Sequence, residues 1–315
     1  MKIAFIDDFH SAYAKTAGVA RLRREGEVTI FTKRVDSLQD LRGFDAIVAT
    51  RERTKFNDAA FEQLPDVRVI AQTGNHAYHV DLASAERRGI VIGKATGGFC
   101  TAAGELAFGL MMAVMRQIPQ VDGAMKEGEW PTPMTWVLRG KTLGIVGLGN
   151  IGRYVARVAQ AFGMNVVAWG SRLTDERAAE VGARRCELDE VLRISDIVSI
   201  HATLSPQTRG LIDRARIASM KPTAYLINTA RGPIVDEQAL VDALSERRIA
   251  GAGLDVFDVE PLPPSHPLRG LTNVVLTAHL GWPTDEMYEQ FAAAAADVLI
   301  AYKEGEDVPR FQSEH

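Results

Sequence analysis

The stretch Lys141–Gly152, KTLGIVGLGNIG, constrains this chain more than any other. Thr142–Val146 is a short apolar run rich in β-branched residues, and Gly147, Gly149 and Gly152 follow it. Tyr154, Val155, Val158, Ala159 and Phe162 then recur at helical intervals. A loose GxGxxG proves little alone, but this one lies between a strand pattern and a helix pattern. There each glycine has a use: a tight turn at Gly147, close approach of backbone to a pyrophosphate at Gly149, close helix–strand packing at Gly152. The free N–H groups and positive dipole end of the following helix suit phosphate. The expectation is a doubly wound unit that binds a dinucleotide at residues 147–152.

The 315 residues leave room for two domains with their own cores. A net charge of −4 gives no electrostatic footprint for nucleic acid or an anionic membrane, so neither is expected as a partner. The longest apolar candidate, Leu106–Val114, is too short to span a bilayer. MKIAFIDDF places acidic residues straight after an apolar run and reads as a first strand, not a signal peptide. Cys100 and Cys186 stand far apart, which fits a reducing, cytoplasmic setting. No HExxH, CxxC or paired-carboxylate cluster points to a metal.

Strand-like and helix-like segments alternate before and after residue 100. Lys2–Asp7, Val28–Thr32, Ala46–Ala49, Val67–Ala71 and Ile90–Ile92 read as strands, with helices over Ala12–Arg24, from Asn57 to Leu64 and from Asp81 to Arg88. Thr101 can cap a long apolar helix to Ile118. The WPTPMTW loop, Trp130–Trp136, suits an exposed contact between two copies or packing on its own domain. Six further strands follow: Thr142–Val146, Val166–Trp169, Ile197–Ile200, Ala224–Asn228, Gly251–Leu254 and Val274–Thr277. The Ala-rich helix Thr284–Lys303 is expected to return to the first lobe. The predicted fold is α/β: two doubly wound parallel-sheet domains, with a Rossmann domain over 100–286 inserted into a flavodoxin-like domain made of 1–99 and 287–315.

Ligands of open α/β sheets sit outside the carboxyl ends of the strands. His201 follows Ile197–Ile200; Thr229, Ala230 and Arg231 follow Ala224–Asn228; Asp255 follows Gly251–Leu254, with Glu260 a little beyond; His279 follows Val274–Thr277. One rim therefore collects an Arg, a Glu and a His.

With GLGNIG, the segments NTARGPIVDEQAL (Asn228–Leu240), GLDVFDVEPLP (Gly253–Pro263), AHLGW (Ala278–Trp282) and TAAGEL (Thr101–Leu106) resemble the D-isomer-specific 2-hydroxyacid dehydrogenase family over essentially the whole chain. The resemblance implies a substrate lobe closing on an NAD(P) domain, a homodimer, and hydride exchange between a nicotinamide and a small 2-oxo or 2-hydroxy acid. It implies that Arg231 holds the substrate carboxylate and carbonyl, that His279 is the acid/base group and that Glu260 is its partner, roles their chemistry supports. Related formate dehydrogenases carry Gln where Glu260 stands, which argues against that activity. The dinucleotide is expected to meet Gly147, Gly149, Asn150, Ile151, Gly152, Gly170, Ser171, Arg172, His201, Ala202, Thr203, Thr208, Thr229, Ala230, Asp255, His279 and Gly281. The substrate is expected to meet Asn75, His76, Ala77, Arg231 and Trp282.

Two positions depart from the family pattern. Where NAD-specific members end the second strand with an acid, this chain reads Gly170-Ser171-Arg172. Without a carboxylate, and with a hydroxyl and a guanidinium, the site favours NADP(H), with NAD(H) as the alternative. The substrate loop reads Asn75-His76-Ala77, with His76 where Gly is common, and Trp282 follows the His279 turn. The expected substrate, which neither position names, is a small 2-oxo acid such as glyoxylate, hydroxypyruvate or a phosphoglycerate-like acid. The other reading is a dinucleotide-sensing corepressor of the same fold, although no basic tail supports it.

Overall fold

A computed structural model describes residues 1–35, 37–97 and 101–313. The chain divides into two compact units, Met1–Phe99 with Pro283–His315, and Cys100–Trp282. The expected boundary at 286/287 falls inside the helix Asp285–Glu304, whereas the units divide ahead of Thr284, whose side chain caps that helix. The expected 99/100 junction and Cys100 lie outside the described residues.

The first unit holds a five-stranded parallel sheet of β1 (Lys2–Ile6), β2 (Glu27–Ile30), β3 (Ala46–Ala49), β4 (Val69–Thr73) and β5 (Val91–Ala95), in the order β2-β1-β3-β4-β5. This is the flavodoxin-like order. Phe5, Ile6, Ile47, Val48 and Ile70 are fully buried, as strands covered on both faces require. β4 runs further than its apolar pattern because Gln72 and Thr73 are buried polar residues with partners. Gln72 Nε2 donates to the Arg51 carbonyl (2.9 Å) and Thr73 Oγ1 to the Ala49 carbonyl (3.0 Å). The helix expected over Ala12–Arg24 is instead a short 3-10 turn, Tyr13–Lys15, then Ala17–Glu25 capped by Thr16. Asp8 opens the turn by accepting the Ala12 and Tyr13 amides (2.9 and 3.0 Å), and extended Thr16, whose hydroxyl donates to the Tyr13 carbonyl (2.7 Å), divides the two. The Ala-rich helix Asp285–Glu304 packs on Ala17–Glu25 and against β4 and β5. The tail continues the sheet: the Lys94 amide donates to the Pro309 carbonyl (2.7 Å) and the Phe311 amide to the Ile92 carbonyl (2.8 Å).

The second unit holds β6 (Thr142–Val146), β7 (Asn165–Trp169), β8 (Arg184–Arg185), β9 (Ile197–Ile200), β10 (Tyr225–Asn228), β11 (Gly251–Leu254) and β12 (Val274–Leu276). They form one parallel sheet in the order β12-β11-β10-β9-β6-β7-β8. The sequence pattern omitted β8, a two-residue edge strand of exposed arginines. Counted within the unit, the order is the dinucleotide-binding order with one strand added, and the topological switch lies between β6 and β9. The helix expected from Thr101 to Ile118 is two helices, Ala102–Met115 and Ile118–Lys126. Gln117 between them is left-handed, with φ 52°. Pro119 explains the break, since it has no N–H to continue the ladder. Among the described residues no helix is long and apolar enough to cross a membrane.

Candidate active site

The glycine loop is built as its sequence demands. Gly147 has φ 101°, and a Cβ there would lie 2.5 Å from the Ala202 amide nitrogen, so the turn after β6 tolerates no side chain. A Cβ on Gly152 would lie 2.3 Å from the Gly147 carbonyl oxygen, which seats the helix Asn150–Ala161 hard against the turn as well as on Ile145. A Cβ on Gly149 would meet nothing within 4 Å, and Gly149 caps the helix without a side-chain hydrogen bond. Uncapped amides beside open backbone fit a pyrophosphate. Asn150 and Ile151 open that helix.

At the end of β7, Gly170 is half-buried, and Ser171 and Arg172 are exposed. After β9, His201 Nε2 lies 2.8 Å from Ser199 Oγ, and burial of the ring lowers its pKa to about 4, so the imidazole is neutral in the physiological range. Thr208 Oγ1 ties the next loop together: it donates to the Thr203 carbonyl (2.7 Å) and accepts the Ser205 amide (2.8 Å). Thr229 is buried after β10. Thus the Gly147–Gly152 turn, Gly170–Arg172, the His201–Thr208 loop and Thr229–Ala230 all follow carboxyl ends of one sheet.

The chemistry-bearing side chains meet on the same edge. His279 Nδ1 lies 2.7 Å from Glu260 Oε2, and the other Glu260 oxygen accepts the Phe257 amide at 3.0 Å. Burial alone would raise the Glu260 carboxyl; the His279 hydrogen bond and charge, the Phe257 amide and the Arg231 charge together hold it below its usual range. Arg231 reaches this neighbourhood because Gly232 has no side chain: a Cβ there would lie 2.1 Å from the Phe257 carbonyl carbon. Arg231 Nη1 donates to the Ala230 carbonyl (2.7 Å). His279 has φ 56°, a left-handed conformation that costs a residue other than glycine about 1–3 kcal/mol.

Asp255, expected among the cofactor contacts, is fully buried with both oxygens engaged by its own chain. Oδ1 accepts the Thr277 hydroxyl (2.6 Å) and the Leu280 amide (2.7 Å), and Oδ2 accepts the Gly281 amide (2.9 Å). The sequence reading passed over Asn228, which is 2% exposed. Its Oδ1 accepts the Ala230 amide and its Nδ2 donates to the Arg231 carbonyl, both at 3.0 Å. An Asn closing an otherwise apolar strand before a turn was the available signal.

The other expected substrate residues belong to different loops. Asn75, His76 and Ala77 follow β4 in the first unit: Asn75 is exposed, Ala77 is buried, and the His76 ring stacks on Tyr78 with centroids 4.5 Å apart. His76 Nε2 lies 3.8 Å and Arg51 Nε 3.4 Å from Glu52 Oε2. Trp282, partly exposed, closes the second unit after the His279 turn. Among the described residues no group of three or more His, Cys, Asp or Glu could hold a metal.

Residues 108–281 match the family model described as D-isomer specific 2-hydroxyacid dehydrogenase, NAD binding domain. The chain is 39% identical to the glyoxylate reductase of Thermofilum pendens over 88% of its own length and 83% of that protein. It is 36% identical to the D-3-phosphoglycerate dehydrogenase of Bacillus subtilis over 91% of its length, but spans 55% of that longer protein. The structure of D-lactate dehydrogenase from Escherichia coli superimposes with a TM-score of 0.88 at 25% identity, covering 98% of this chain and 99% of that one.

Proposed function

Because the chain belongs to the D-isomer-specific 2-hydroxyacid dehydrogenase family and is a nicotinamide-dependent oxidoreductase of that class, we propose that it reduces small 2-oxo acids of the glyoxylate and hydroxypyruvate kind, using NADP(H) in preference to NAD(H). The observation that carries this reading is the 2.7 Å contact between His279 Nδ1 and Glu260 Oε2, with Arg231 close enough for its charge to act on Glu260.

The nicotinamide, when bound, supplies or accepts the hydride. Arg231 offers a planar fork of donors to the substrate carboxylate and the carbonyl beside it. Glu260, held ionised, takes the Nδ1 side of His279, so Nε2 is the nitrogen that passes a proton to the carbonyl oxygen during reduction and takes it back in oxidation. The glycine loop and helix terminus at Gly147–Gly152 hold the pyrophosphate, with His201, Ala202, Thr203, Thr208, Thr229 and Ala230 along the same edge.

Two features support NADP(H). No carboxylate stands at residue 170 to repel a 2′-phosphate, and among the described residues the exposed Arg172 guanidinium makes no hydrogen bond or ion pair. A homodimer is part of the same reading: Trp130, Met134 and Val137 are 80%, 93% and 67% exposed along one arm, apolar side chains that a second copy could cover. The test is a screen of 2-oxo acids with NADPH and NADH, followed by absorbance, on wild type and His279→Ala. Turnover of a small 2-oxo acid that falls at least about 100-fold in the variant, with dinucleotide binding retained, is the expected result. Near-normal turnover in His279→Ala refutes the assignment. Light scattering reads the oligomeric state.

A further inference from the structure

Glu260 stands on an exposed stretch, Asp258–Pro261, and must still meet His279 at 2.7 Å. Its position is set a little earlier in the chain. Glu260 Oε1 accepts the Phe257 amide (3.0 Å), and the Phe257–Asp258 peptide lies on Gly232, where a Cβ would collide with the Phe257 carbonyl. The Asp258 amide donates to Glu237 Oε2 (3.1 Å), in the first turn of the helix Glu237–Ser245. Glu237 Oε1 in turn lies 3.1 Å from His266 Nε2. The His266 ring is oriented for this contact: its Nδ1 accepts the Leu268 amide (3.3 Å), so its hydrogen sits on Nε2 and is donated to Glu237. Both side chains are partly buried. One carboxylate therefore ties the beginning of the Asp258–His266 loop to its end.

We propose that Glu237, clasped by His266, is a positioning residue for Glu260, holding the Phe257–Asp258 peptide to which the Glu260 carboxylate is bonded. This rests on the reading of Glu260 and His279 as the acid/base pair. The clasp shares the loop with other holds. Arg269 donates to the Leu262 and Pro263 carbonyls (2.8 and 3.0 Å), and the bond from the Phe257 amide to Glu260 does not involve Glu237. Freed from Glu237, the loop therefore stays attached at its far half. Its first residues drift, and Glu260 moves with them because its carboxylate is bonded to the Phe257 amide. A carboxylate is what the place requires. It accepts from Asp258 and His266 at once, whereas an amide side chain offers one acceptor oxygen and turns an NH2 toward the second donor. The arrangement carries a cost: burial and then the Glu237 charge raise the Asp258 carboxyl, Asp236 adds to the repulsion, and Arg209 and His266 offset it.

The test compares Glu237→Gln, Glu237→Asp, Glu260→Gln and the double variant Glu237→Gln with Glu260→Gln, in the full chain, with NADPH or NADH and the best 2-oxo acid from the screen. Gln leaves one donor unmet, and Asp keeps the charge but lacks the reach. Both should lower kcat for reduction by about 10-fold, less than the roughly 100-fold of a full ångström misplacement because the other holds persist. KM for the acid and dinucleotide affinity, read by fluorescence, should stay within about threefold. Reduction uses the protonated pair, which the Glu260 charge favours, so its rate should fall off about half a pH unit lower than in the wild type. Structural damage alone lowers the rate without moving that profile. In the Glu260→Gln background, Glu237→Gln should cost less than about twofold, because it acts through Glu260. A wild-type kcat in both Glu237 variants, recovery in Glu237→Asp, an unmoved pH profile, an undiminished effect in the Glu260→Gln background, or a loss confined to dinucleotide affinity each overturns the proposal. His266→Ala, which removes the second donor and leaves Glu237 on Asp258, carries the test if the Glu237 variants do not fold; a several-fold fall in its kcat with the profile shifted supports the clasp, and an unchanged kcat overturns it. If His279→Ala loses turnover while the Glu237 variants keep it, this inference alone fails. If His279→Ala keeps turnover, the acid/base reading fails first.

Discussion

Gly170→Asp converts the cofactor assignment into a measurement. A Cβ at this position would lie 3.4 Å from Leu173 Cβ and 3.8 Å from the Leu148 nitrogen, ordinary contacts, and the backbone there is not left-handed. The variant should therefore fold like the wild type, with a new carboxylate beside the glycine loop. Two unit charges about 4 Å apart repel by about 4 kcal/mol at the effective dielectric of a protein surface and by about 1 kcal/mol in water. Ser171 and Arg172 are exposed, so the penalty against a 2′-phosphate lies in the lower part of that range, about 1–3 kcal/mol. That is a fall of about 5- to 150-fold in kcat/KM for NADPH. For NADH the same carboxylate accepts a ribose hydroxyl, a charge-assisted hydrogen bond of about 1.5–3 kcal/mol, or about a 10- to 150-fold gain. The NADPH/NADH ratio of kcat/KM should move by at least about 50-fold, measured by initial rates at saturating 2-oxo acid. The effect should shrink as ionic strength rises. An NADH preference in the wild type, or an unchanged ratio in Gly170→Asp, refutes the reasoning.

Gly152→Ala places a methyl where 2.3 Å separates its Cβ from the Gly147 carbonyl, so the helix must move off the turn; dinucleotide affinity should fall at least about tenfold in a fluorescence titration, while the melting temperature shifts only modestly. Glu260→Gln keeps an acceptor for the Phe257 amide but removes the charge facing His279; kcat should drop about 10- to 100-fold with KM nearly unchanged, as steady-state kinetics would read. Asp7 is fully buried with Oδ1 unpartnered, and burial raises its carboxyl pKa, so the native state binds this proton more tightly than the unfolded chain does. Its contribution to stability therefore falls as pH rises through that raised value. Asp7→Asn, which also suits the positive φ of 63°, should raise the melting temperature near neutral pH and lose the advantage in acid; a gain that grows in acid would reverse the sign.

The fold was readable because both sheets are parallel and buried, and such strands announce themselves as short apolar runs between turns. The pattern failed where burial was polar. β4 continues through Gln72 and Thr73, whose side chains bond to neighbouring backbone and so tolerate the interior. It failed too at Gln117, where Pro119 breaks a helix whose apolar residues run on through Ile118. At the site, Arg231, Glu260 and His279 were legible as ordered motifs, and the structure brings the Glu–His pair within a hydrogen bond. Asp255 was legible as a polar residue after a strand and as an expected dinucleotide contact. What its oxygens hold depends on β12 and its turn, chain that adjacency in sequence cannot reveal.

The unit formed by Met1–Phe99 and Pro283–His315 has a consequence for synthesis. Its last helix covers β4 and β5, and its tail borders β5, yet both are made only after all of Cys100–Trp282 has been translated. At about 5–20 residues per second the ribosome takes on the order of 10–40 s to cross that interval. Throughout it, the newborn amino-terminal sheet stands with one apolar face bare. The contiguous glycine-loop unit can finish folding first. Chaperone engagement should then concentrate on the segment emitted earliest, an inversion of the usual amino-to-carboxyl order of maturation.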